Sequence, residues 1–210
     1  MIRILTVDDH AVVRDGIKRI FEGRPETAIF GEAASAQEAL DLVRRQGWDV
    51  VVLDITLGDR SGIDVLKELK IAKPKLPVLI LSMHSEAQFA RRAFKAGAAG
   101  YITKDNQPDE LAHAIERVAA GGRYVSPTLA EMLVMDLESG ADKAPHQTLS
   151  DREFEIMRLI GSGKTVGEIA ELLARSVKTI STYRARILEK MGMRTNAEIT
   201  YYVIRNNLIE

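Results

Sequence analysis

The 210-residue chain carries 29 Lys and Arg against 30 Asp and Glu, a net charge of −1 that, taken whole, points to neither nucleic acid nor membrane. Its 46% hydrophobic content suffices for a real core, and the length allows one large domain or two small ones. The absence of cysteine excludes disulfides, thiolate metal sites and a cysteine nucleophile, and suits a reducing cytoplasm. No apolar run approaches the roughly 20 residues of a membrane span, and the opening MIRILTV is stopped by Asp8 before it resembles a signal peptide. A cytoplasmic protein with no membrane partner is expected.

Short β-rich runs alternate with helical patterns up to residue 125. The runs are RILTV (3–7), AIFGEA (28–33), VVVLD (50–54), PVLILS (77–82) and GYIT (100–103). Helices are expected over about 11–22, 36–46, 62–73, 87–96 and 109–120; in the third, Ile63, Leu66, Leu69 and Lys70 share a face. Continuous apolar runs such as VVVL fit a parallel sheet covered on both faces. Five alternating units predict a doubly wound, five-stranded α/β domain. Pro127 opens a further helical segment, and the polar ESGADKAPHQ after it reads as a tether. From Thr148 onward only helices are expected, over about 150–161, 166–173, 177–191 and 195–206, forming a small all-α domain.

The stretch ILTVDDHAVV (4–13) ends an apolar strand in two adjacent carboxylates, Asp8 and Asp9. One reading is a strand end that has reached water, with an Asp capping the next helix. The other follows from the fold, because doubly wound sheets bind ligands beyond the carboxyl ends of their strands. Those ends carry Asp8, Asp9, Asp54, Ser82 and Lys104. Clustered carboxylates raise one another's pKa unless a cation joins them, and an all-oxygen donor set with few carboxylates suits Mg²⁺.

The motifs TVDDH, VVLDI, LILSM and GYITKD, in this order and spacing, resemble a response-regulator receiver domain over about residues 1–122. The resemblance implies that Asp54 accepts a phosphoryl group from a phosphohistidine on a sensor kinase. Asp8 and Asp9 would hold Mg²⁺ with Asp54 and the Thr56 backbone carbonyl. Ser82 and Lys104 would meet the phosphoryl oxygens, and Tyr101 would be the aromatic that moves inward as the Ser82 hydroxyl shifts. One departure lies in TLGDRSG, where Gly58 stands in place of the usual proline, loosening that loop.

A local basic surface interrupts the neutral balance. Arg175, Lys178, Arg184, Arg186, Lys190 and Arg194 face a single acid, Glu189, within 175–194. VGEIAELLARSVKTISTYRARILEKM reads as a short helix, a tight turn and a longer helix capped by Ser176, the helix-turn-helix layout. Ser181, Thr182 and Ala185 fall on the face away from the core. Residues 148–208 resemble the LuxR-type DNA-binding domain, and the two resemblances together identify the NarL/FixJ class of transcription regulators. That resemblance implies promoter DNA as a partner, contacted through Lys178, Thr179, Ser181, Thr182, Tyr183, Arg184, Ala185, Arg186 and Lys190. Arg175, Val166, Gly167 and Tyr183 depart from the usual pattern.

The expected organisation is therefore a receiver over 1–122, a linker with a helical segment over 123–147 and a helix-turn-helix domain over 148–210. Its partners would be a sensor histidine kinase, double-stranded DNA, a second copy of the chain when phosphorylated or DNA-bound, and RNA polymerase as a further candidate. The last helix, carrying Ile199, Tyr202 and Val203, either pairs two DNA-binding domains or packs on its own core. Two other functions fit the residues less well. RNA or protein binding as output lacks support from this helix-turn-helix. A Mg²⁺-dependent phosphohydrolase would need a second Asp where Thr56 stands. A regulator that catalyses only its own phosphorylation and dephosphorylation is expected, not an enzyme.

Overall fold

Aliphatic and β-branched runs form the strands of the N-terminal part: β1 (Arg3–Val7), β2 (Ile29–Ala33), β3 (Val50–Asp54), the hairpin β4 (Thr56–Leu57) and β5 (Arg60–Ser61), β6 (Val78–Ser82) and β7 (Gly100–Thr103). β1, β2, β3, β6 and β7 make one parallel sheet in the order β2-β1-β3-β6-β7. The winding direction therefore reverses between β1 and β3, where the crevice of such a sheet opens. The computed structural model describes residues 1–22, 29–58, 60–83, 86–138 and 144–209. It divides into two units, Met1–Glu138 and Ser139–Glu210.

The sheet is covered on both faces, which is why its central strands carry no polar alternation. Every residue of β3 and β6 is buried. Helices α1 (Ala11–Phe21) and α5 (Pro108–Ala119) pack together on one face, with Ile17, Phe21, Ile115 and Val118 in the shared core. On the other, α2 (Ala36–Arg45), α3 (Gly62–Ala72) and α4 (Glu86–Lys95) follow one another. The third predicted helix holds: Ile63, Leu66 and Leu69 are buried, while the Lys70 ammonium donates to the Leu76 carbonyl at 2.8 Å.

The β4–β5 hairpin went unanticipated, since neither strand is long enough to show a period. Leu57 and Ser61 are buried there, and the Gly62 amide donates to the Ile55 carbonyl at 2.6 Å, closing the loop behind Asp54. After α5, the Tyr124 amide donates to the Ala99 carbonyl at 3.0 Å, and α6 (Pro127–Glu138) packs on α4, burying Leu129. Residue 28 of the second predicted strand, residues 139–143 of the predicted tether and residue 210 lie outside the described residues.

A 3₁₀ turn (Pro145–Thr148) leads into α7 (Asp151–Gly161), α8 (Val166–Leu172), α9 (Val177–Met191) and α10 (Asn196–Arg205). Each α-helix starts at a Ser or Thr whose side chain accepts a backbone N–H: Ser150, Thr165, Ser176 and Thr195. Glu153 and Glu168 complete capping boxes on the first two. α9 stops at Gly192, whose φ of 65° is the left-handed conformation glycine adopts freely. Phe154, Ile169, Ala170, Ile180, Ile187 and Val203 form the buried centre.

One backbone approach in the first unit is testable. A Cβ at Gly62 would sit 2.0 Å from the carbonyl oxygen of Asp54, so Gly62→Ala must displace the end of β3. Trp48, the only tryptophan, is 9% exposed and reports this unit's unfolding. In urea melts followed by Trp48 fluorescence, Gly62→Ala loses roughly 1–3 kcal/mol; a midpoint equal to wild type would contradict the packing.

Candidate functional site

The acids expected at the strand ends converge. Asp8, 1% exposed, follows β1 directly, and β3 ends at Asp54, 4% exposed. Lys104, just beyond β7, donates from Nζ to Asp8 Oδ2 and Asp54 Oδ2, both at 2.7 Å. Sheet register brings it there: Ser82 pairs with Thr103, and the Lys104 amide donates to the Ser82 carbonyl at 2.8 Å. The remaining oxygen of Asp54 accepts the Thr56 amide at 3.1 Å. Asp9, outside the sheet, directs its oxygens to His10 Nδ1 at 2.7 Å and to the Gly58 amide at 3.2 Å. The strand end therefore does not simply meet water: Asp8 is buried, and its Oδ1 accepts the His10 amide at 2.8 Å.

Two buried carboxylates share one ammonium, and the electrostatics follow. Burial pushes the Asp54 carboxyl up to about 6, against the pull of Lys104. Burial also opposes the charge on Lys104, but its bonds to Asp54 and Asp8 outweigh that and hold its pKa above the ordinary value. Ligand atoms of Asp8, Asp9, His10 and Asp54 lie within 4.8 Å of one another. The donors fit a hard divalent ion: three carboxylates close together, charge in excess of the ammonium, and an open side at exposed Asp9.

Ser82 and Tyr101 are both 0% exposed. Ser82 closes β6 beside Lys104, whereas Tyr101 sits further back in β7, opposite Ile80. Three participants were missed in the sequence. The Arg14 guanidinium donates to the Asp8 carbonyl at 2.7 Å and to Glu32 Oε2 at 2.9 Å, pinning the strand end. His10 touches both neighbouring acids. The Gly58 amide reaches Asp9 from 49 positions away. An Arg early in a helix that starts at paired acids was the available signal for the first; the others depend on long-range placement.

In the second unit, Lys178, Ser181, Thr182, Ala185 and Arg186 are exposed along α9, and Thr179 and Tyr183 are partly so. Lys178, Thr179, Thr182, Tyr183 and Arg186 line a shallow hollow. Two of the expected cationic contacts are engaged within the unit. Arg184 Nε donates to Asn196 Oδ1 at 2.5 Å, and Lys190 Nζ to Glu153 Oε2 at 2.6 Å. Burial works against the Glu153 charge, but Lys190 and the Ser150 amide and hydroxyl more than offset it, leaving its pKa low. On α10, Ile199 and Val203 are core, and Tyr202 hydrogen-bonds His146 Nδ1 at 2.8 Å. The apolar surface left outward is Tyr201 and Ile204.

Comparison with known proteins follows the same division. The family "Response regulator receiver domain" matches residues 4–116, and "Bacterial regulatory proteins, luxR family" matches 147–203. Response regulator UvrY of Escherichia coli K12 is 34% identical over 209 residues, covering 99% of this chain and 96% of its own. Response regulator GacA of Pseudomonas protegens is 35% identical over 210 residues, covering 100% and 99%. The crystal structure of a LuxR-family two-component response regulator from Aurantimonas sp. SI85-9A1 is 42% identical, covers 65% of this chain and 98% of its own, and superposes with a TM-score of 0.60.

The raised Asp54 pKa carries a sign that can be checked in metal-free protein. At low pH Asp54 is protonated folded or unfolded; between 3.8 and about 6 only the folded state keeps the proton. Its contribution to stability is therefore lost as pH rises through that window. Asp54→Asn escapes the loss. Its stability relative to wild type, from Trp48 urea curves, should increase between about pH 4 and about pH 7 by up to roughly 3 kcal/mol. A pH-independent difference would refute the assignment.

Proposed function

Since the chain belongs to the NarL/FixJ class of two-component response regulators, we propose that it accepts a phosphoryl group on Asp54 from a sensor histidine kinase and thereby switches sequence-specific binding to promoter DNA. The reading assigns the receiver to 1–122, a helix-bearing linker to 123–147 and the DNA-binding domain to 148–210. The observation that carries it is the Asp54 carboxylate held 2.7 Å from Lys104, beside Asp8 and Asp9.

The reaction is a displacement at phosphorus. An Asp54 oxygen forms the new P–O bond while the P–N bond to the kinase imidazole breaks, and the electron pair leaves with the nitrogen. The transition state is loose, so alignment and positive charge are what a protein can contribute. Lys104, already beside Asp54, pairs with a phosphoryl oxygen. The Thr56 amide keeps the attacking carboxylate oriented, and the Ser82 hydroxyl donates to a second phosphoryl oxygen. Asp8, Asp9, Asp54 and the Thr56 carbonyl would hold Mg²⁺, which supplies the remaining neutralising charge. Water returns the acyl phosphate to the carboxylate. Self-phosphorylation and self-dephosphorylation are the whole of the protein's own chemistry.

The product adds about one negative charge and three acceptor oxygens where Lys104 now bridges two acids. Ser82 follows the phosphoryl group and Tyr101 takes the space behind it, biasing the receiver toward its active surface. That active surface lets a dimer engage two half-sites, with RNA polymerase a further partner in the cytoplasm. Ser181, Thr182 and Ala185 would face the bases, with Thr179 and Tyr183 at their edge. Lys178 and Arg186 would bind phosphates; Arg184 and Lys190 reach the backbone only by sharing or leaving their internal partners.

Two measurements test these roles. After incubation with acetyl phosphate and Mg²⁺, mass spectrometry should find one added phosphoryl group on wild type and none on Asp54→Asn; equal labelling would remove Asp54 as acceptor. On random-sequence duplex DNA, Arg186→Ala should weaken binding and reduce the slope of log affinity against log salt by about one. An unchanged slope would take Arg186 off the phosphate backbone.

A further inference from the structure

Asp9 is the least enclosed carboxylate of the cluster, with 34% of its side chain exposed against 2% for Asp8 and 4% for Asp54. An exposed carboxylate on a strand-to-helix turn is free to sample rotamers, and ordering it to bind an ion costs free energy. Here both its oxygens have partners: His10 Nδ1 at 2.7 Å from Oδ1, and the Gly58 backbone N–H, which donates to Oδ2 at 3.2 Å. The second partner comes from the loop behind Asp54, the other strand end of the site.

Two properties of residue 58 make that bond. It has a backbone N–H to give, and its φ of +50° lies in the left-handed region. Proline has no N–H and fixes φ near −65°, so it would remove both. Space is not the constraint, because the nearest atom to an added Cβ would be Asp9 Oδ2 itself, at 3.9 Å. Conformation and donor are therefore separable: asparagine keeps the N–H and tolerates left-handed φ better than other L residues.

We propose that Gly58 is a positioning residue for the divalent-cation site, its N–H tethering Asp9 Oδ2 to the acceptor loop before any ion arrives. This rests on reading Asp8, Asp9 and Asp54 as the Mg²⁺ ligands. The tether fixes the loosest ligand relative to Asp54, so less order is lost on binding. It spans the switch point, so the loop and the first strand end move as one piece. Glycine at this position, where the receiver pattern has proline, is then a compensating feature of the metal site and more than a loosened loop.

The test uses full-length wild type, Gly58→Asn and Gly58→Pro. Mg²⁺ is titrated by calorimetry, and Trp48 urea curves check that each variant is folded. Gly58→Asn should bind within about twofold of wild type, and Gly58→Pro about three- to tenfold more weakly, as expected for losing one partly exposed bond to a charged group. A second readout needs no metal. The Gly58 amide should exchange slowly with solvent in metal-free wild type and faster in Asp9→Ala, which retains the amide but not its acceptor. Equal Mg²⁺ affinity in Gly58→Pro and wild type, or a Gly58 amide indifferent to Asp9→Ala, would overturn the proposal. No Mg²⁺ uptake by wild type would overturn the reading of the acids as well, which separates the two failures.

Discussion

A single ammonium shared between two buried carboxylates organises the first unit. Lys104 contacts Asp8 and Asp54 at 2.7 Å each, and the three side chains come from the ends of β1, β3 and β7. Burial pushes the Asp54 carboxyl up, Lys104 pulls it back, and the neighbouring Asp8 adds a lesser upward push. The carboxylates of the cluster outnumber its ammonium, a donor set that fits a divalent cation. Only a parallel sheet whose winding reverses between β1 and β3 gathers these ends in one crevice.

Support for the site comes from neighbours that share none of its chemistry. Arg14, itself braced by Glu32 on edge strand β2, holds the Asp8 carbonyl. Gly62 lets α3 begin hard against the Asp54 carbonyl. Backbone and side chain at each acid are fixed from different directions, which suits an alignment-dependent displacement.

Much of this was legible in the residues. Uninterrupted apolar strands announced a sheet covered on both faces, and Ser176 marked the start of α9. The acids could be assembled because the topology dictates where strand ends go. What stayed hidden depends on tertiary placement. The β4–β5 hairpin is too short for periodicity, and the Gly58 bond to Asp9 spans positions with no pattern linking them. On α10, the sequence left open whether Ile199 and Val203 pair two domains or pack on their own core; packing on α7 buries both and leaves Tyr201 and Ile204 outside. Charge alone could not separate Lys178 and Arg186, exposed on α9, from Lys190, which is committed to a buried acid.

That last pairing bears on how loss-of-binding variants are interpreted. Glu153 is 3% exposed, caps the start of α7 and receives the ammonium from the far end of α9. The C-terminal end of α9 is thereby pinned to the start of α7. Replacing Lys190 would remove that pin and leave Glu153 the Ser150 amide as its partner. A loss of binding on replacing Lys190 would therefore report a loosened helix end as well as any contact that its 41%-exposed side chain makes itself.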